Sequence, residues 1–179
     1  CHACDFVLSA HPSSPLVADP RLCARPQHAA SCDGRDPDTI QRVVDSAVSL
    51  IVRSGSATVC FVGGPWTYPC AADGMGFRAK LNATAASLSL RGLGDEAARF
   101  ACKSMGRAFW VSGLQGGDLS SRNVSFRGLG VDSGASDSFG GALLIQWLSV
   151  SIVNCSFSHC RSGGGGAVWI EAVGGLEGG

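Results

Sequence analysis

Nine cysteines are the residues of this chain best suited to chemistry: Cys1, Cys4, Cys23, Cys32, Cys60, Cys70, Cys102, Cys155 and Cys160. A cysteine can ligate zinc, exchange disulfides or attack an electrophile, and its surroundings select among these. Cys1-His2-Ala3-Cys4 is a Cys-x-x-Cys doublet. Zinc bound there would draw on Cys23 and on Cys32 or a histidine, yet Cys23 and Cys32 are nine apart and form no second close-set doublet. A redox motif needs the doublet at a helix start in a βαβ context, and this one stands in a proline-rich stretch. Structural disulfides are the better reading, with one thiol of the odd set free or paired elsewhere. Cys60 with Cys70 is the expected closure of a loop over 63–76. Cys155 and Cys160 are close enough in sequence to pair, or Cys155 turns inward as a small hydrophobe.

The other reactive side chains assemble less. Asp95-Glu96 is the one adjacent acidic pair, and acid–base hydrolysis needs two carboxylates held apart on rigid elements. Asp95, Asp118, Asp132 and Asp137 all fall in expected loops, where solvated turn carboxylates are ordinary. Lys103 and Arg107 have the character of a base beside an acidic substrate, with loop solubility the simpler account. His159 beside Cys160 suggests a nucleophile and its base, but no third group orients the ring. Gly92-Leu93-Gly94 and Gly163 to Gly166 lack the Gly-Lys-Ser/Thr and the strand–loop–helix order of a phosphate loop. Trp66, Trp110, Trp147 and Trp169 stack sugars if they face out and pack the core if they face in. No catalytic residue, metal or cofactor is therefore assigned.

Three sequons stand at Asn82-Ala83-Thr84, Asn123-Val124-Ser125 and Asn154-Cys155-Ser156. Alongside the cysteines and only two lysines, they point to the secretory pathway and an extracellular or cell-surface location. Asn82 is the best glycan acceptor. Asn123 and Asn154 occupy the same repeat position, in Asn-Val-Ser-Phe and Asn-Cys-Ser-Phe, so an inward asparagine ladder competes with glycosylation there.

Composition narrows the classes. Fourteen Lys+Arg balance fourteen Asp+Glu, so a charge-driven nucleic-acid or anionic-membrane binder is excluded. At 45% hydrophobic and 16% charged the chain is built to fold. No run reaches the roughly 18 apolar residues of a spanning helix. The chain opens on cysteine rather than methionine, and it reads as a processed or truncated piece of something longer.

The elements that must position these residues are legible in part. Residues 1–34 carry four cysteines and most of the prolines without periodicity, so little regular structure is expected there. Asp36-Pro37-Asp38 is a helix start, and Ile40, Val43, Val44, Ala47, Val48 and Ile51 form one apolar stripe that Gly55 ends. Period two follows, with strands expected at 57–62, 88–90, 109–111, 124–126, 142–145, 150–153 and 167–170.

Those strands repeat. Gly140-Gly141-Ala142-Leu143-Leu144-Ile145 recurs 25 residues later as Gly165-Gly166-Ala167-Val168-Trp169-Ile170. Asn123-Val124-Ser125-Phe126 resembles Asn154-Cys155-Ser156-Phe157, 31 residues on, and Ser89-Leu90-Arg91-Gly92 resembles Ser125-Phe126-Arg127-Gly128, 36 on. Ladders of Ile145 over Ile170 and Phe126 over Phe157 are expected, with contact loops at 63–76, 95–107 and 132–139.

On these residues the chain resembles the right-handed parallel β-helix of the pectin-lyase-like superfamily. The words Gly-Gly-Ala and Val-Ser-Ile-Val-Asn-Cys-Ser-Phe are similar to repeats of polymorphic outer-membrane adhesins and algal extracellular repeat proteins. The resemblance implies an all-β solenoid over 35–179, capped by the helix over 36–55 and continuing beyond the last residue, after a disulfide-stapled segment over 1–34. It implies an extracellular structural or adhesive glycoprotein module, partnered by other extracellular glycoproteins, by itself or by polysaccharide. The alternative is a secreted polysaccharide lyase or glycosidase with its site in coils outside this chain. The Asn-Thr-Asp, Asp-Asp and Gly-His-Gly motifs of such hydrolases do not occur.

Overall fold

Asp36 opens the helix as its sequence demands. Its extended backbone (φ −100°, ψ 116°) lets the carboxylate accept from the backbone N–H of Asp38 and Thr39, at 3.2 and 3.0 Å. The helix α1 runs Pro37–Ser54 and stops at Gly55, whose φ of 78° is left-handed and whose N–H donates to Ile51. Ile40, Val43, Val44, Ala47 and Ile51 are buried, as the stripe requires, and Val48 lies half-buried at its edge. Full burial of each large aliphatic side chain contributes about 1.5–3 kcal/mol, which holds this β-branched helix to its neighbours.

The computed structural model describes residues 4–11, 16–17, 31–71, 73–104, 106–115 and 118–171. The strands are β1 Phe6–Ser9, β2 Leu16–Val17, β3 Ser31–Asp33, β4 Ser56–Val62, β5 Thr67–Pro69, β6 Phe77–Lys80, β7 Ala86–Leu93, β8 Ala98–Ala101 and β9 Phe109–Ser112. They continue as β10 Arg122–Arg127, β11 Leu129–Asp132, β12 Ala135–Phe139, β13 Leu143–Gln146, β14 Ser149–Val153, β15 Ser156–Ser158, β16 Arg161–Gly164 and β17 Val168–Glu171. Among the described residues every strand pairing is parallel. The sheets run β14-β10-β7-β4-β1-β3-β2, then β15-β11-β8-β5, then β17-β13-β9-β6, with β12-β16 as a two-stranded addition. From β4 onward the chain visits these sheets in rotation. Each pass lays one strand on each of the three larger sheets beside the strand of the neighbouring pass, and the last two passes add β12 and β16.

Register follows the inward apolar positions. Leu90 lies opposite Phe126, and Ile145 opposite Ile170, as the 36- and 25-residue repeats require. The 31-residue repeat is corrected. Phe126 lies opposite Ile152, and Phe157 opposite Val131 on a different sheet. Alternation over the whole strand aligns Val124 and Phe126 with Val150 and Ile152, whereas Asn154 is a corner residue with φ of 51°. Each expected contact loop also contains a strand: β5 within 63–76, β8 within 95–107 and β12 within 132–139. These strands have three to five residues and carry no repeated word that would mark them in the sequence.

Residues 6–9 and 31–33, expected to be irregular, are likewise strands that extend the largest sheet beyond β4. Between the sheets lies an aromatic core. Phe100 sits 5.1 Å from Phe61, 5.2 Å from Tyr68 and 5.0 Å from Phe109, ring centre to ring centre. The buried Tyr68 hydroxyl lies 3.0 Å from the Leu8 carbonyl and 2.8 Å from that of Val62, tying β1 to the core. Burial drives its phenol far above the usual range. Among the described residues no helix is long and apolar enough to cross a membrane.

Candidate functional site

Sheet register decides the cysteines. Cys60 lies on β4, which pairs with β1, and it is bonded to Cys4 just before that strand. Cys70 follows β5 and Cys102 follows β8. The register that sets Pro69 opposite Ala101 brings these two together as a second disulfide. The expected Cys60–Cys70 bridge is therefore replaced by two bridges between neighbouring strands, because Cys60 and Cys70 belong to different sheets. Cys32 is also disulfide-bonded. Cys155 and Cys160 are half-buried free thiols rather than a pair. Cys1 and Cys23 lie outside the described residues, as does most of the Cys1–Cys4 doublet.

The His159 group assembles differently from the sequence expectation. Asp132 closes β11 rather than standing in a loop. Its Oδ1 accepts from the Ser158 hydroxyl at 2.8 Å and lies 2.9 Å from His159 Nδ1. The His159 bond, followed by that of Ser158, holds the Asp132 carboxyl below its ordinary range. Cys160 turns away, its sulfur 3.3 Å from the Ser158 carbonyl oxygen and 3.7 Å from that of Val131. Burial pushes its thiol up. A nucleophile needs a thiolate against the imidazole. Here the ring serves the carboxylate, on an exposed corner, and the sulfur faces carbonyl oxygens instead.

The remaining acidic residues are apart. Asp118 caps a short 3₁₀ turn over Leu119–Ser121, accepting from the Ser120 N–H. Asp95 and Glu96 stand in the turn between β7 and β8, and Asp137 is exposed on β12 rather than in a loop. Among the described residues no three His, Cys, Asp or Glu side chains gather to hold a metal ion. All four tryptophans are half-buried. Trp169 stacks on Phe139 at 4.4 Å, Trp110 donates to Gln146, and Trp66 donates to the Val62 carbonyl.

Asn82, Asn123 and Asn154 are all exposed. The inward asparagine ladder does not form. Asn123 lies opposite Ser87 and Ser149 on the outer side of its strand, and its Oδ1 accepts from the Ser87 hydroxyl at 2.9 Å.

Sequence reasoning missed the regularity of that outer face. Thr58, Ser89, Ser125 and Ser151 occupy one row across four parallel strands, with Ser125 and Ser89 hydroxyls 3.0 Å apart. Arg91 and Arg127 stand opposite one another in the same sheet, and together these residues line a shallow groove with Asp5. Its signal in the sequence is the repeated Ser-x-Arg-Gly at 89–92 and 125–128. Lys103 is exposed, but Arg107, expected to be a solvated loop residue, is only 4% exposed. Set against protein-family models, curated proteins and solved structures, the chain matches none.

Proposed function

We propose that this chain is an extracellular structural or adhesive module, a right-handed β-solenoid of the pectin-lyase-like kind that presents its outer faces to neighbouring matrix or cell-surface molecules. The observation that carries this reading is the rotation of parallel strands through the same sheets, pass after pass, with disulfides fastening neighbouring strands. Such a stack resists bending because each pass is bonded to the next along every sheet, and its outer rows repeat like sites at a fixed spacing. The disulfides favour an oxidising compartment, and the exposed Asn82, Asn123 and Asn154 have the accessibility that N-glycosylation requires. The exposed apolar residues Ile152, Val153 and Ile170 on β14 and β17 suit contact with a further layer of parallel strand.

The test is a depolymerisation assay on uronic-acid and neutral polysaccharides, with and without calcium, following new reducing ends and the absorbance of unsaturated products. The folded, glycosylated protein is expected to give no turnover. Turnover abolished by an aspartate substitution would replace this reading with that of a polysaccharide lyase or glycosidase.

A further inference from the structure

Arg107 is the most deeply buried charge whose placement the fold does not account for. Its side chain lies at the floor of an open groove of about 540 Å³ between the 73–75 turn and strand β12. Among the described residues no carboxylate lies within ion-pairing distance of it. Asp73, on one wall, is taken by Arg78 at 2.6 Å, and Asp137, on the other, is exposed at the rim. Arg107 Nη2 donates to the Ser136 and Ser138 hydroxyls, at 2.5 and 3.2 Å, and the Trp110 ring lies beneath the guanidinium at 5.9 Å. Its Nε is buried without any hydrogen-bond partner. A buried guanidinium costs much desolvation unless an anion compensates it. Burial accordingly depresses its pKa.

We propose that this groove is a binding site for an oxyanion, a carboxylate or sulfate ester carried by an acidic polysaccharide, with Arg107 as its charge partner. The serines are arranged to take part. Ser136 Oγ already accepts from Arg107 and from the Ser138 backbone N–H. Its own proton therefore remains to be donated, to Ser138 or to an incoming oxygen. Ser104, on the facing side, adds a third hydroxyl. Among the described residues, hydroxyl and backbone groups dominate this lining and Met75 is its one large apolar side chain, which suits a saccharide better than an acidic peptide with apolar anchors. The inference deepens the surface-contact reading above and rests on it only for the ligand's being extracellular.

The experiment measures binding of the disulfide-intact protein to polygalacturonate, dextran sulfate, neutral dextran and poly-glutamate by calorimetry at fixed salt. Polygalacturonate or dextran sulfate is expected to bind, and which of them binds tells carboxylate from sulfate ester. Neutral dextran and poly-glutamate should not bind. Arg107→Gln should weaken binding at least tenfold with an unchanged melting profile, and Asp137→Asn should leave it equal or tighter. The Arg107 Nε–Hε resonance should shift on titration, a readout that needs no variant to fold. Binding that survives Arg107→Gln, or that is lost instead in the exposed Arg91→Gln/Arg127→Gln double variant, would overturn the proposal. So would binding of poly-glutamate as tight as that of the polysaccharides, or no binding of any probe. The depolymerisation assay reads catalysis rather than binding, so the two proposals fail separately.

Discussion

At the scale of single residues, the clearest case is Asp36. Its carboxylate caps α1, and the hydrogen bond from the Thr39 hydroxyl, then the backbone N–H groups of Asp38 and Thr39, depress its pKa. A carboxyl whose folded pKa lies below its unfolded value stabilises the protein at every pH above the unfolded value. That stability is lost as pH falls through the folded value, so the contribution of Asp36 should vanish on the acid side of about pH 4. Asp36→Ala should cost about 1 kcal/mol at neutral pH. Asp36→Asn should cost less and flatten the acid limb of a melting-temperature profile. An acid limb as steep as the parent's would remove Asp36 from the account. Phe100 makes the complementary case in the core. It touches four other rings and is fully buried, so Phe100→Ala should cost about 3–5 kcal/mol in urea unfolding. A cost under 1 kcal/mol would mean that the aromatic core is not packed as described.

Among elements, the legible ones were those that carry a period or a repeated word in the sequence. The helix, from Asp36 to Gly55, carries its cap, its stripe and its stop in sequence. Strands β7, β10, β13 and β17 carry alternation or repeated words. What stayed hidden were the short strands β5, β6, β8, β11, β12, β15 and β16, and the strands before α1, which join the sheet through the pairing of β1 with β4. The register of Phe126 was misread because a four-residue word at 154–157 outweighed the alternation of β14. The candidate site was less legible still. Arg107 reads as a soluble loop residue until β12 is laid over it, and the Ser-x-Arg row is meaningful only once the strands are side by side. Close approach between neighbouring passes is equally invisible in sequence. A Cβ at Gly92 would run into the Gly128 carbonyl of the next pass. Gly92→Ala should therefore cost about 1–3 kcal/mol, as overpacking does, where a glycine-to-alanine change in an open turn would be neutral or stabilising. Thermal unfolding of the variant decides which holds.

At the scale of the whole molecule, neighbouring parallel strands are fastened to one another by disulfides. Cys4–Cys60 and Cys70–Cys102 close chain separations of 56 and 32 residues. Chain entropy gives each a stabilisation of about 4 kcal/mol, so Cys70→Ser should lower the unfolding free energy by roughly 2–5 kcal/mol. The bridges are compatible with an oxidising compartment, where such bonds persist. The most direct measurement is a disulfide map of the protein as its own cells make it, alkylated without reduction, digested, and read by mass spectrometry. Cys4 linked to Cys60 and Cys70 to Cys102, with Cys155 and Cys160 alkylated as thiols, is the pattern expected of a stapled extracellular stack. Cys60 linked to Cys70, or both pairs recovered as free thiols, would contradict the strand register and the extracellular scaffold built on it.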